Sequence, residues 1–307
     1  MQKRNVLVVF YSQTGQLARL TEKFIEPLKQ EENINLEIMS LKPIPEFGFP
    51  WKFIEFFNIF PETVHLRPRR IERLDFQRER YDLIIIAYTV WFLSPSQPIT
   101  AFLLNRRTKN IIKDTPVVTL IGCRNMWLMA QEQMKMLLSR ANAKLIGNVA
   151  KIDQCSSGTS FITTPLWMLT GKKKPVSWLS SAGISDEEIN DVSRFGKRIA
   201  ERLQEDGPLD ETLLQKMGAV KIDERLILSE RSARRSFYLW GKLLIATGKI
   251  SPSLRKGILF LYIIFLIMII LIGLPVTSIL KALFLPFFRR KIKKQKQYYS
   301  WPSGEGF

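Results

Sequence analysis

At 307 residues the chain is long enough for one or two domains with a sizeable buried core. Its two cysteines, Cys123 and Cys155, are too few for a disulfide framework, and they offer no metal-ligand cluster with the single histidine. The net charge of +18 is concentrated late, because residues 231–307 hold fourteen Lys/Arg against one acid, Glu305.

Met1 to Arg4 lead straight into a short strand, with no apolar stretch and cleavage site, so the first domain is expected in the cytoplasm. Asn5 to Tyr11 is β-branched and uncharged, the pattern of a buried strand. An amphipathic helix follows, with Leu17, Leu20, Phe24 and Ile25 on one stripe. Leu36 to Leu41 is a weaker strand. Asp82 to Tyr88, Thr115 to Gly122 and Asn142 to Val149 are three more. Helical patterns separate them at Gln97 to Leu104 and Trp127 to Arg140. Alternating β and α elements imply a parallel sheet with helices on both faces.

Pro43 to Arg70 is too long and too apolar for a simple crossover. Phe47, Phe49, Trp51, Phe53, Phe56, Phe57 and Phe60 crowd into it, which suits either a helix covering the sheet or a greasy lid beside a ligand. Cys155 to Ser181 reads as irregular. Ser185 then caps a helix whose buried stripe is Ile189, Val192, Phe195, Ile199 and Leu203, with Glu188 at capping-box spacing. That helix closes a first domain, residues 1–206, before Gly207 and Pro208. Residues 207–256 read as a linker and a basic helix, which lies either on anionic lipid or against the domain.

Ile258 to Leu280 is uncharged for 23 residues, about 35 Å as a helix and enough for a bilayer core. The anchor is therefore placed at 257–288, with a basic cytoplasmic tail at 289–307. Both flanks are basic, and cationic flanks prefer the cytoplasmic side. With Gly273 and Pro275 inside the stretch, this favours a hairpin or re-entrant anchor over a single span.

Ser12, Gln13, Thr14, Gly15 and Gln16 lie between the first strand and its helix. Backbone N–H groups and the positive end of a helix dipole meet there, and small hydroxyls add donors, so the loop is an anion site suited to phosphate. The same residues also serve an ordinary helix cap. This loop resembles the flavodoxin-like family, as do the segments Tyr88 to Ser96 and Gly122 to Trp127. The resemblance implies a doubly wound five-stranded sheet in order 2-1-3-4-5, and FMN held at the carboxyl ends of three strands. It places the phosphate on Ser12, Gln13, Thr14, Gly15, Gln16 and Leu17. It places the ring among Tyr88, Thr89, Trp91, Phe92, Gly122, Arg124, Asn125 and Trp127. Leu17 departs from the family, which often carries another Ser or Thr at that position.

Arg124 to Trp127, Trp91 to Pro98, Glu46 to Trp51 and the basic apolar C-terminus are similar to a narrower group, the dialkylresorcinol-condensing enzymes. That likeness implies a flavin-dependent aromatase working beside a ketosynthase at a membrane, on an alkyl-chain cyclic diketone. Loss of a hydride and a proton would turn a cyclohexane-1,3-dione into a resorcinol, with the flavin as acceptor. His65, the only histidine, is a candidate base; Tyr88 is a candidate hydrogen-bond partner for the ring, and Arg124 a stabiliser of developing negative charge. A quinone or flavin reductase using NAD(P)H and a non-enzymatic membrane scaffold are the alternatives. The basic charge argues against an acidic electron-carrier surface, and the apolar context of the tail argues against nucleic acid.

Overall fold

The computed structural model describes residues 3–153, 155, 160–174, 178, 181–205, 207–273 and 289–304. Val6 to Val9 are wholly buried in β1 (Arg4–Phe10), because helices cover this strand on both faces. α1 (Gln16–Lys29), β2 (Ile34–Ser40), α2 (Phe53–Asn58) and α3 (Phe60–Val64) follow. β3 (Leu83–Trp91), β4 (Ser94–Pro95), α4 (Gln97–Leu104), α5 (Arg106–Ile112) and β5 (Pro116–Cys123) come next, then α6 (Leu128–Arg140) and β6 (Lys144–Ile152). Beyond the sheet lie α7 (Ser160–Thr170), α8 (Asp186–Asp191), α9 (Ser193–Gln204), α10 (Glu224–Ile250) and α11 (Pro252–Met268). A π-helical turn extends α11 to Gly273, and a last helix, α12, covers 289–300.

The parallel strands run β2-β1-β3-β5-β6, the flavodoxin-like 2-1-3-4-5 order when only parallel strands are counted. A sixth strand corrects the five-stranded expectation. β3 continues three residues past Tyr88 and turns back through Phe92 and Leu93 to pair with the two-residue β4. Phe92 and Leu93 adopt φ of 49° and 58°, a hairpin turn that Asn and Gly usually occupy.

Alternation along the strands divides the core. Leu7, Val9, Ile84, Ile86 and Ile121 face α4, α5 and α6, while Val6, Val8, Ile85, Val118 and Leu120 face α1, α8 and α9. Ser185 caps α8 by accepting from the Glu188 N–H at 3.2 Å. Lys151, buried in β6, donates to Glu188 at 2.5 Å and to Asp191 at 2.8 Å, tying α8 to the sheet.

Two other regions differ from expectation. The segment read as irregular contains α7, whose Trp167 is buried although Pro165 interrupts the sequence signal for a helix. Residues 207–223, read as a linker, instead bury Leu213, Leu214, Ala219 and Val220 against the β6 side of the molecule. Pro275, and the apolar run Ala282 to Phe288, lie outside the described residues.

Gly196 lets α9 cross α1 closely: a Cβ there would overlap the Phe24 carbonyl oxygen, which is backbone and cannot swing aside. Gly196→Ala should therefore destabilise the fold by about 2–3 kcal/mol in urea unfolding. An unchanged midpoint would mean that the two helices separate freely.

Candidate functional site

Parallel register sets which loops meet. Phe10 pairs with Ala87, Thr89 with Gly122, and Cys123 with Ile152, so the loops after β1, β3, β5 and β6 leave one edge of the sheet together. Ligands of open α/β sheets bind at this carboxyl edge.

The loop after β1 is accessible. Gly15 is exposed at φ 80°, a left-handed conformation that glycine adopts without strain, and α1 starts at the next residue. Ser12 Oγ accepts from the Ala18 N–H at 3.1 Å, and Thr14 Oγ1 from the Gln16 N–H at 3.5 Å. Each hydroxyl still has its own hydrogen to donate outward. Leu17 differs, because its side chain is buried in the core and only its backbone faces the loop. Gly122 also belongs to that packing, since a Cβ there would come within 3.1 Å of Leu17 Cδ1.

Gln13 joins this loop to the aromatic insertion. Its Nε2 donates to the Gly48 carbonyl at 2.8 Å, and its Oε1 accepts from Trp51 Nε1 at 3.0 Å. Phe47 and Trp51 then pack edge-on against Trp91 at centroid distances of 5.0 and 5.8 Å, with Tyr11 at 6.0 Å from Trp91. Phe92 continues the wall to Phe56 and Phe60. The insertion is thus a fixed aromatic wall clipped to the phosphate-type loop.

On the far side, Arg124 and Asn125 are half-buried beside the end of β5. Burial lowers the Arg124 guanidinium to about 10, with Asp153 opposing, so it stays cationic at neutral pH. The Asp153 backbone N–H donates to the carbonyls of Cys123 (2.9 Å) and Arg124 (3.0 Å). Its carboxylate accepts from the backbone N–H groups of Cys155 and Gly183, each at 2.8 Å.

Three expected residues lie away from this crevice. Tyr88 is wholly buried and donates its hydroxyl to Gln131 Oε1 at 2.7 Å, which leaves no route to a substrate. Trp127 sits buried at the start of α6, as packing. His65 lies past α3 against α10, with its Nε2 3.0 Å from the Tyr238 carbonyl oxygen and its ring on Tyr238. Burial, more than nearby Arg234 and Arg67, pushes its pKa down, so it is neutral at pH 7.

Sequence reading missed Glu230. This α10 carboxylate is 1% exposed and caps α6 by accepting from the Met129 N–H at 2.8 Å. Burial lifts it to about 8, although the Met129 and Leu128 N–H groups pull the other way. Its one available signal was being a lone acid next to a run of arginines.

The donors present fit a phosphate at the loop after β1: two hydroxyls, a glycine that leaves the approach open, and a helix start. Thr89, Arg124 and Asn125 add polar groups along the rim for a flat ring. No protein-family model matches the chain, and the comparison with curated proteins found no match for it. Among solved structures it is similar to a flavoprotein from Lactobacillus acidophilus NCFM in complex with FMN. That pair shares 18% identity over 48% of this chain and 93% of the other, with a TM-score of 0.39. A flavodoxin from the domain Archaea shares 9% identity over 65% and 99%, TM-score 0.36. The Trp repressor binding protein from Bacillus subtilis shares 12% over 62% and 98%, TM-score 0.33. At such similarity the fold assignment rests on the strand order itself.

Glu230 also makes a pH signature. A carboxyl raised from 4.5 in the unfolded chain to about 8 in the fold takes up a proton on folding between those values. The stability it contributes is complete below pH 4.5 and is lost as pH rises to about 8. Glu230→Gln, which keeps an acceptor for Met129, should flatten the fall in Tm between pH 5 and 8.5. Parallel curves for the two proteins would contradict this.

Removing the clip with Gln13→Ala should raise acrylamide quenching of tryptophan fluorescence as Trp51 loosens. Unchanged quenching would mean that ring packing alone holds the wall.

Proposed function

We propose that this chain is an FMN-dependent, membrane-attached oxidoreductase that aromatises a 2,5-dialkylcyclohexane-1,3-dione to a resorcinol beside a condensing ketosynthase. The carrying observation is the accessible Ser12–Gln16 loop at the start of α1, clipped through Gln13 to an apolar wall. One end of that arrangement suits a phosphate and the other an alkyl-bearing ring. Structures such as the L. acidophilus flavoprotein with FMN support the choice of cofactor.

When bound, FMN would supply a two-electron acceptor, so that the dione, in losing a hydride to it and a proton, would become the resorcinol. Ser12, Thr14, Gly15 and Gln16 hold the phosphate with the Leu17 backbone. Phe47, Trp51 and Trp91 exclude water on one side. Arg124 stabilises the enolate charge that builds as the proton leaves. That proton is acidified by the flanking carbonyls, and with Tyr88 and His65 engaged elsewhere it passes to water at the rim.

The purified protein should show a visible flavin spectrum and convert the dione to resorcinol in single turnover, bleaching that spectrum. A flavin-loaded protein that forms no resorcinol but turns over NAD(P)H and quinone would overturn the aromatase and favour a reductase. A colourless protein that takes up no FMN would leave a scaffold. Replacing both Thr14 and Gly15 with Glu sets carboxylates against the phosphate. FMN retention should then fall about hundredfold or more; undiminished retention would put the phosphate elsewhere.

A further inference from the structure

α11 is long and apolar enough to cross a bilayer, at 22 residues from Pro252 to Gly273 including its π-turn. Its packing puts it elsewhere. α10 is fastened to the sheet domain along its length: Ile227 enters the core, Glu230 caps α6, and Arg234 donates to the Val64 carbonyl at 3.0 Å. α11 folds back antiparallel on α10, with Trp240 lying 5.6 Å from Tyr262 and 5.2 Å from Phe265. It is also tied directly to the domain. Arg255 makes a two-pronged ion pair with Glu62 at 2.7 and 2.9 Å, and Tyr262 stacks on Phe60 at 4.3 Å. From Arg255 to Phe265 the helix is thus held along its side, flat against the domain, instead of projecting from it.

Its two faces differ accordingly. Leu259, Tyr262 and Ile263 are buried against the protein. Phe260, Leu261, Ile264, Ile267, Met268 and Leu271 recur at helical spacing on the opposite face, 45–67% exposed. Phe53 and Ile54 of α2 are exposed as well, on the helix whose Phe57 meets Tyr262. Exposed Lys249 and Lys256 flank the α10–α11 turn.

Further along the chain, α12 packs on the same domain. Ile292 and Tyr299 of α12 enter the sheet core, Tyr298 donates to Glu132 at 2.9 Å, and Lys296 pairs with Glu224 at 3.2 Å. Arg289, Arg290, Lys291, Lys293 and Lys294 stay exposed.

We propose that the outer face of α11, joined by Phe53 and Ile54 of α2, lies in the plane of an anionic bilayer within one leaflet. The sheet domain and α12 both remain on the side from which the protein docked. Basic residues around an apolar helical face match acidic lipid, whereas a second copy of a +18 chain would meet like charge. α2 then touches lipid through Phe53 and Ile54 while Phe56 reaches Phe92, linking the bilayer to the aromatic wall. This deepens the membrane part of the proposed function and is independent of the flavin.

Two measurements on the full chain test it. In membrane vesicles from the expression host, Glu32→Cys on the sheet domain and Lys294→Cys on α12 should react alike with an impermeant maleimide, above the wild-type background. Protection of one cysteine while the other reacts would overturn the proposal in favour of a span. In flotation, the wild type should rise with phosphatidylglycerol vesicles and less with phosphatidylcholine. The exposed-face triple variant Phe260→Ser, Ile264→Ser, Leu271→Ser should lower the bound fraction at least tenfold. Unchanged flotation of the variant would overturn the proposal. So would a wild type that fails to float and forms a dimer broken by the same substitutions. Neither readout involves flavin or turnover, so failure here leaves the redox reading standing, and the reverse also holds.

Discussion

Everything in this molecule is placed by three central strands, β1, β3 and β5, that are apolar on both faces. A strand buried twice over has no polar side for water, so each of its residues must meet a covering helix. Register then follows from hydrophobic matching, and with it the position of every loop leaving the carboxyl edge. Ser12, Thr89 and Arg124 lie far apart in sequence, yet all three follow from one decision about strand pairing.

The second layer of organisation is polar and sparse. The side chains of Gln13, Asp153 and Glu230 each bind backbone groups: the Gly48 carbonyl of the insertion, the N–H groups of Cys155 and Gly183, and the start of α6. Asp153 and Glu230 are buried acceptors of otherwise orphaned N–H groups, and such a contact fixes geometry more sharply than an apolar one does, since the alternative is an unpaired donor in a dry site. Loops that are chemically unremarkable become rigid in this way. The aromatic insertion would otherwise be a collection of rings free to repack.

Much of the sheet was legible in the chain itself. Runs such as Leu83 to Ala87 carry no charge, and the α9 stripe from Phe195 to Leu203 keeps helical period. The β3–β4 hairpin was hidden because Phe92 and Leu93 take left-handed turn positions without the usual Asn or Gly. α7 was hidden by Pro165, and the packed role of 207–223 by the Asp, Glu and Gly around Leu213 and Leu214. At the site, the Ser12–Gln16 loop announced itself locally, as strand, hydroxyls and helix. Tyr88 and Trp127 misled because their position in a motif says nothing about inward direction, which alternation and partners such as Gln131 decide. Glu230 was unreadable, for its partner lies 101 residues earlier.

One feature at the margin of the sheet constrains how the chain can mature. β6 is a border strand, and its Asn148 N–H donates to Ser303 Oγ at 2.6 Å while the Ala150 N–H donates to the Ala219 carbonyl at 2.9 Å. Unpaired ladder groups invite sticking between neighbouring chains. Synthesis proceeds from the amino end, so Ser303 reaches its place only after the greasy stretch before it has left the ribosome. Until then a nascent molecule carries a partly open border, and the last seal on its sheet domain is applied by residues made only after the long apolar run.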